Sequence, residues 1–270
     1  MIDWLDTCRR CVDDLHEVLA RLPTRAEREP VLRRGQGGDD TTAVDQAAED
    51  AVVDRLTALG ADFVLVSEEL GTRSFGAGGT THVVVDPIDG SVNAKRGIPY
   101  FSFSLAVAEG ATMDDVVFGY VFDFGSGEEW TAERGGGASL SGEPLDAVAP
   151  KGAIEILSFE GTTAEAIAER LGGVLPLVGR IRVMGSLALS LCHLAAGRVD
   201  AVCSLKPARS VDIAAAQLLV RECGLAIELF DDPPFGAGPL DLAQRSRVVA
   251  AGSTELTAAL AEALKVPSLS

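Results

Sequence analysis

Apolar residues recur at helical spacing over residues 2–22, at Trp4, Leu5, Cys8, Cys11, Val12 and Leu15, and Pro23 ends the run. Residues 23–40 are polar, rich in Arg and Gly, and close on Gly37-Gly38-Asp39-Asp40, which reads as a mobile loop or a hairpin. From Thr41 to Leu59 one apolar face returns at Val44, Ala48, Ala51, Val52, Leu56 and Leu59, with Thr41 or Thr42 as N-cap and Gly60 as the stop. The period then shortens. Phe63–Val66 is a buried strand that runs directly into Ser67-Glu68-Glu69. A Gly-rich loop over 71–80 leads to a second apolar strand, His82–Val85. Residues 98–108 and 116–124 alternate as a hairpin of longer strands, and 127–146 holds short strands with Gly turns.

Beyond residue 150 the pattern becomes strand–helix alternation. Strands are expected at Ile154–Phe159, Ile181–Val183, Ala201–Ser204, Ala226–Phe230 and Arg247–Ala250. Helices are expected at Thr162–Leu171, Ser186–Ala196, Val211–Cys223 and Glu255–Leu264, with Gly197 and Gly224 as stops. This order implies an α/β layer. A boundary falls at 145–152, where Pro150 and Gly152 punctuate, so the chain divides into an α+β half, 1–148, and an α/β half, 149–270.

Composition narrows the function. A chain of 270 residues that is 47% hydrophobic builds one large domain or two packed halves. The net charge of −17 disfavours nucleic acid as partner, and an anionic substrate then needs a local reversal of sign such as a bound divalent cation supplies. Most of that charge is read as a solubilising surface. The opening residues, with Asp3 and Asp6, do not read as a secretory leader, and no apolar run approaches the ~18–20 residues of a membrane span. Five cysteines is an odd number without a pairing pattern. Cys8 and Cys11 share one helix face and read as small core residues, which suits a reducing, cytoplasmic setting.

Carboxylates gather where apolar strands end or helices begin: Glu68 and Glu69, Asp86 and Asp89, and Asp212. Strand ends are where ligands bind in α/β sheets. Carboxylates crowded there repel unless they share protons or hold a hard cation. In Asp86-Pro87-Ile88-Asp89-Gly90-Ser91, Pro87 keeps Asp86 extended. A tight turn then brings Asp89 to the same cavity, the turn releases the Ile88 carbonyl as an oxygen ligand, and Gly90 lets backbone N–H groups approach an anion. The alternative is a decorated turn, because Asp, Pro and Gly are all turn residues.

The stretch VDPIDGSVN, residues 85–93, resembles the signature of the inositol monophosphatase-like superfamily of Mg²⁺-dependent, lithium-sensitive phosphatases. The other pieces of that pattern follow in order over nearly the whole chain: Asp39-Asp40-Thr41-Thr42-Ala43-Val44-Asp45, then Ser67-Glu68-Glu69, Met184-Gly185-Ser186, and Val211-Asp212-Ile213-Ala214-Ala215 with Glu222-Cys223-Gly224. The resemblance implies a layered α/β/α/β/α sandwich and a two-metal phosphomonoesterase acting on a small sugar or cyclitol phosphate. It implies two or three Mg²⁺ ions. Glu68, Asp86 and the Ile88 carbonyl would hold the first, Asp86, Asp89 and Asp212 the second, and a third would again touch Glu68. Asp45 and Ser91 would orient and deprotonate the attacking water. Gly90, Ser91 and the helix start at Gly185-Ser186 would present N–H groups to phosphate and sugar hydroxyls. Segment 33–40 resembles the family's metal-gating loop, and a homodimer is implied because members commonly dimerise.

Two departures bear on substrate. Ala94 stands where an aromatic often follows the motif Asn, and Leu205 stands where inositol-selective members carry a sugar-binding Glu. The stretch Ser204-Leu205-Lys206-Pro207-Ala208-Arg209 is closer to archaeal-type members that also cleave fructose 1,6-bisphosphate. Arg209 or Lys206 either holds a second phosphate or is a solvated loop cation. Fructose bisphosphate, histidinol phosphate and 3′-phosphoadenosine phosphate remain alternative substrates, and a non-catalytic metabolite-binding member remains the rival class.

Overall fold

The computed structural model describes all residues except Met1, Gly37, Asp39, Val148, Pro150, Lys151, Gly161, Thr162, Asp232 and 266–270. The chain opens with α1 (Trp4–Arg21), which buries Cys8, Cys11, Leu15 and Val18 on one face, and a single turn, α2 (Arg25–Arg28). Strands β1 (Val31–Arg34) and β2 (Asp40–Thr42) pair antiparallel, so the hairpin alternative holds for the polar segment, although Gly37 and Asp39 lie outside the described residues. Next come α3 (Ala43–Thr57), capped by Thr42, and β3 (Phe63–Ser67).

The expected Gly-rich loop at 71–80 is instead half strand. β4 (Gly71–Phe75) folds back antiparallel on β3, with Phe63 opposite Phe75 and their rings stacked 4.9 Å apart. Its exposed Thr-Arg-Ser face gave no apolar signal, because an edge strand buries little. β5 (His82–Asp89) runs beyond the expected Val85. Asp86 pairs with Ser104 and Asp89 with Ser102, so β5 spends three steps where its partner spends two. The expected tight turn between the two Asp residues is therefore a bulge within a continuing strand. The turn itself comes at Gly90 (φ +92°), where α4 (Ser91–Arg96) begins. The meander β6 (Ser102–Ala108), β7 (Val116–Asp123), β8 (Glu129–Glu133), β9 (Gly137–Leu140) and β10 (Glu143–Pro144) completes a sheet of order β10-β9-β8-β7-β6-β5-β3-β4.

The second half contains β11 (Ile154–Glu160), α5 (Ala164–Val174), β12 (Val178–Arg182), α6 (Leu187–Ala195), β13 (Ala201–Ser204), α7 (Ser210–Glu222), β14 (Ala226–Leu229), β15 (Val248–Ala251) and α8 (Thr254–Lys265). These strands order as β12-β11-β13-β15-β14, parallel at β12-β11-β13 and antiparallel thereafter. The strand expected at 181–183 sits at 178–182, at the sheet's edge, and Val183 lies beyond it at 52% exposed. The divide expected at 145–152 falls on a stretch that includes the undescribed Val148, Pro150 and Lys151.

Side-chain alternation sets the layers. Val83 and Val85 face a core shared with Cys8, Leu15, Val52 and Leu56 of α1 and α3. Val84 faces the opposite core, with Ala188 and Leu191 of α6 and Ala214 and Leu218 of α7. Val202, Val248 and Ala250 line that same core from the second sheet. Ala201, Cys203 and Val249 face away from it, against Val174, Leu260 and Leu264 of α5 and α8. The order is α1/α3, sheet, α6/α7, sheet, α5/α8, the five-layered α/β/α/β/α sandwich. Both sheets are covered on both faces, which explains the unbroken apolar runs at 83–85 and 201–203. All five cysteines are buried and unpaired, and among the described residues no helix is long and apolar enough to cross a membrane.

Candidate active site

Four helix starts and two strand ends meet at one edge of the central layers. Glu68 sits in the β3–β4 turn and Asp86 and Asp89 on the bulged end of β5. Asp212 is the third residue of α7, Asp45 the third residue of α3, and Ser91 opens α4. All of them line one cavity of about 340 Å³ with Ile88, Gly90, Lys95, Lys206 and Arg209. Oxygens of Glu68, Asp86 and Asp212 lie within 4.8 Å of one another, so residues 144 positions apart in sequence (212 − 68) converge. Helix N-termini stabilise such negative charge.

Burial and mutual repulsion act on these groups. Burial first, then Glu68, Asp89 and Asp212, raise the Asp86 carboxyl well above its ordinary value. Burial, opposed by Arg209 and reinforced by Asp212 and Glu69, pushes Glu68 up to about 8. The cluster draws in a side-chain cation. Arg209, the residue before α7, donates from Nη1 to Glu68 Oε1 (2.5 Å) and from Nη2 to Asp212 Oδ1 (3.1 Å), while its backbone N–H reaches Asp212 Oδ2 (2.7 Å). Burial opposes its charge, but Asp212 and Glu68 outweigh this and raise its pKa. Arg209 is thus no solvated loop cation, since its side chain is 11% exposed.

Asp89 shares the cavity but is held differently. Its Oδ2 accepts from Ser186 Oγ (2.5 Å) and from the Ala188 N–H (2.8 Å), at the start of α6. Ser186 Oγ in turn accepts from Leu189 N–H. The N–H groups expected there for a substrate are therefore taken up by Asp89 and the Ser186 cap. Gly185 lines a second recess of about 150 Å³ that shares Asp89, Lys206, Arg209 and Asp212 with the first and adds Arg245. Burial, opposed by Ser186 and reinforced by Asp212, pushes Asp89 up to about 7. Asp45 accepts from the Thr42 N–H (2.9 Å) and Oγ1 (2.6 Å). Gly90 is confined by close contact, because a Cβ there would stand 3.0 Å from the Gly185 carbonyl oxygen.

Sequence reading left out the tie of Thr42 to Asp45 and the ion pair of Arg209 with Glu68, while Glu69 is read there as a neighbour rather than a ligand. Thr42-Ala43-Val44-Asp45 has the spacing of a capping box, so the tie between Thr42 and Asp45 was readable. Glu69 lies outside the three-carboxylate group and accepts instead from Thr41 Oγ1. The ion pair of Arg209 with Glu68 and the place of Arg245 carry no local signature, whereas Arg209 and Asp212 stand three apart at the start of α7. As a donor set, three nearly buried carboxylates that already attract a guanidinium suit a hard, oxygen-preferring cation.

Comparison with known proteins agrees with this geometry. The family model described as the inositol monophosphatase family matches residues 10–266. The chain is 30% identical over 273 residues to a fructose-1,6-bisphosphatase/inositol-1-monophosphatase of Methanothermobacter thermautotrophicus, covering 97% of each. It is 33% identical over 264 residues to the protein of that description from Thermococcus kodakarensis, covering 97% of this chain and 98% of that one. A solved structure described as an inositol monophosphatase–fructose 1,6-bisphosphatase superposes with a TM-score of 0.81 at 26% identity, over 97% of this chain and all of the other. The convergent carboxylates, the five-layered sandwich and these likenesses place the chain in the inositol monophosphatase family.

Proposed function

We propose that the chain is a Mg²⁺-dependent phosphomonoesterase that hydrolyses a small sugar or cyclitol phosphate. The observation that carries this reading is the convergence of Glu68, Asp86 and Asp212 within 4.8 Å on a cavity also lined by Asp45 and Ser91. Glu68, Asp86 and the Ile88 carbonyl hold one ion, and Asp86, Asp89 and Asp212 a second, with Glu68 available to a third. When bound, the ions supply positive charge to the phosphoryl oxygens and the leaving oxygen. The protein's own groups do the rest. Asp45, fixed through Thr42, accepts the proton of the attacking water, and Ser91 orients that water. Burial raises the Asp45 carboxyl against the pull of its Thr42 hydrogen bonds, in the direction a general base needs. Gly90 and Ser91 offer backbone N–H groups to the phosphate, and Gly185 and Arg209 border the substrate's remainder, while Ser186 acts behind them on Asp89.

A sugar bisphosphate is the second reading, favoured by Lys206, Arg209 and Arg245 around the adjoining recess. The two archaeal relatives, whose names combine both activities, support it. A panel of inositol, fructose bisphosphate, histidinol and 3′-phosphoadenosine phosphates, read by free phosphate, tests both. Release should require Mg²⁺ and disappear in Asp89→Asn, and wild-type turnover by that variant would overturn the assignment.

Three further readings complete the proposal. A division into halves 1–148 and 149–270 is supported by the eight-stranded and five-stranded sheets, which share no strand among the described residues. A homodimer is supported by the exposed Ile98 and Val183, near the Asn93–Met184 hydrogen bond, and light scattering reads it directly. A cytoplasmic setting is supported by the five unpaired cysteines.

A further inference from the structure

Glu160 ends β11 in the second sheet, lines neither recess of the site, and is 1% exposed. Its carboxylate collects four donors. Oε1 accepts from Ser158 Oγ (2.8 Å), Ser190 Oγ (2.8 Å) and, at 3.3 Å, the Met184 N–H, while Oε2 accepts the Gly185 N–H at 2.8 Å. A buried carboxylate costs stability unless fully partnered, and a neutral, apolar side chain of similar volume would serve the core as well or better. Its partners show where it acts. Two of the four are consecutive backbone N–H groups of the 184–185 turn, and the next residue, Ser186, caps α6 and holds Asp89. The turn is gripped from the other side by Asn93, whose Nδ2 donates to the Met184 carbonyl (2.8 Å). It is also fixed in shape: Gly185 has φ +97°, and a Cβ there would stand 2.9 Å from Asn93 Nδ2.

We propose that Glu160 is a positioning residue for the reaction: it fixes the 184–186 turn so that the start of α6 holds the Asp89 carboxylate in place at the metal cluster. A carboxylate of the second sheet thereby sets the geometry of a ligand carried by the first. The inference rests on the reading of Asp89 as a metal ligand. Supporting groups of this kind are worth about 10–100-fold in metal affinity.

The test titrates Mn²⁺ and Mg²⁺ calorimetrically into the metal-stripped full chain, with circular dichroism to verify folding and steady-state kinetics alongside. Glu160→Ala should weaken ion binding about tenfold and lower kcat more than it raises KM. Glu160→Asp keeps the charge but withdraws the acceptor from Gly185, and should show the same defect if the alanine variant does not fold. Glu160→Gln can still accept from the Gly185 N–H while its amide donates to the serines, giving up only the long Met184 contact (3.3 Å), so it should stay within about threefold of wild type. In an Asp89→Asn background the effect of Glu160→Ala should nearly vanish, because both changes act on one group. Wild-type affinity and turnover in folded Glu160→Ala or Glu160→Asp, or full additivity with Asp89→Asn, would overturn the proposal while leaving the metal site standing. A wild-type protein that binds neither ion would overturn both.

Discussion

Glu49 shows how a single buried side chain couples the site's framework to pH. It lies on α3, 2% exposed, with Ser67 Oγ 2.5 and 2.6 Å from its two oxygens and the Leu70 N–H 3.2 Å from Oε1. It thus anchors both ends of the turn that carries Glu68. Burial, opposed by the Ser67 hydrogen bond and reinforced by Glu69, pushes its carboxyl up to about 7. The folded value exceeds the unfolded one, so the fold favours the protonated form. The stability this group contributes is full below about pH 4.3 and is lost as pH rises through about 7. Glu49→Gln fixes the neutral form. Its stability should stay close to wild type at pH 4 and exceed it at pH 8, by an amount on the order of 3 kcal/mol, with Tm raised accordingly. An equal gap at both pH values in scanning calorimetry would refute this. At this scale the acidic motif residues were legible because each stood at a strand end or helix start. Glu160 and Glu49 were not, because their meaning lies in backbone N–H groups and hydroxyls distant in sequence. Arg209 was noticed, but its pairing with Glu68 spans 141 positions and leaves no local trace.

Among elements, helices and doubly covered strands were easiest to read, since α3, α6 and α7 each sit within two residues of their expected limits. The edge strands β4 and β12 were missed or displaced, because a strand with one neighbour and an exposed face has no apolar alternation to show. The bulge in β5 was also illegible. Proline, aspartate and glycine suit a turn and a bulge equally, and the register against β6 decided between them. Close packing between elements had one hidden cue in Gly119 on β7. A Cβ there would stand 2.5 Å from the backbone carbonyl oxygen of Ala215, on the helix that presents Asp212. Gly119→Ala must push α7 off the sheet, because a backbone atom has no rotamer by which to yield. Overpacking of this kind costs about 1–3 kcal/mol. Denaturant unfolding should show that loss together with weaker Mg²⁺ binding, since Asp212 moves with α7. A variant as stable as wild type would show that the two elements tolerate separation.

For the whole molecule, charge and architecture meet at the same edge. A net charge of −17 is spread over the chain, yet three carboxylates are also forced together between the two sheets. The dispersed part is screened by ordinary salt, because exposed charges interact weakly beyond a Debye length of ~8–10 Å. The converged part is nearly buried and only partly offset by Arg209, so a cation that enters the cavity relieves it further. Mg²⁺ should therefore raise Tm in a way that NaCl of equal ionic strength does not. Binding to the folded state alone stabilises by about 2.7 kcal/mol at a hundredfold excess over Kd, so the shift should grow logarithmically with Mg²⁺ and reverse on chelation. Glu68→Gln combined with Asp86→Asn separates the two parts. It lowers the surface charge hardly at all but dismantles the cluster, so the Mg²⁺-specific shift should collapse while the NaCl response persists. If that double variant kept the full Mg²⁺ shift, the ion would be acting on the acidic surface at large, and the convergence of Glu68, Asp86 and Asp212 would hold no metal.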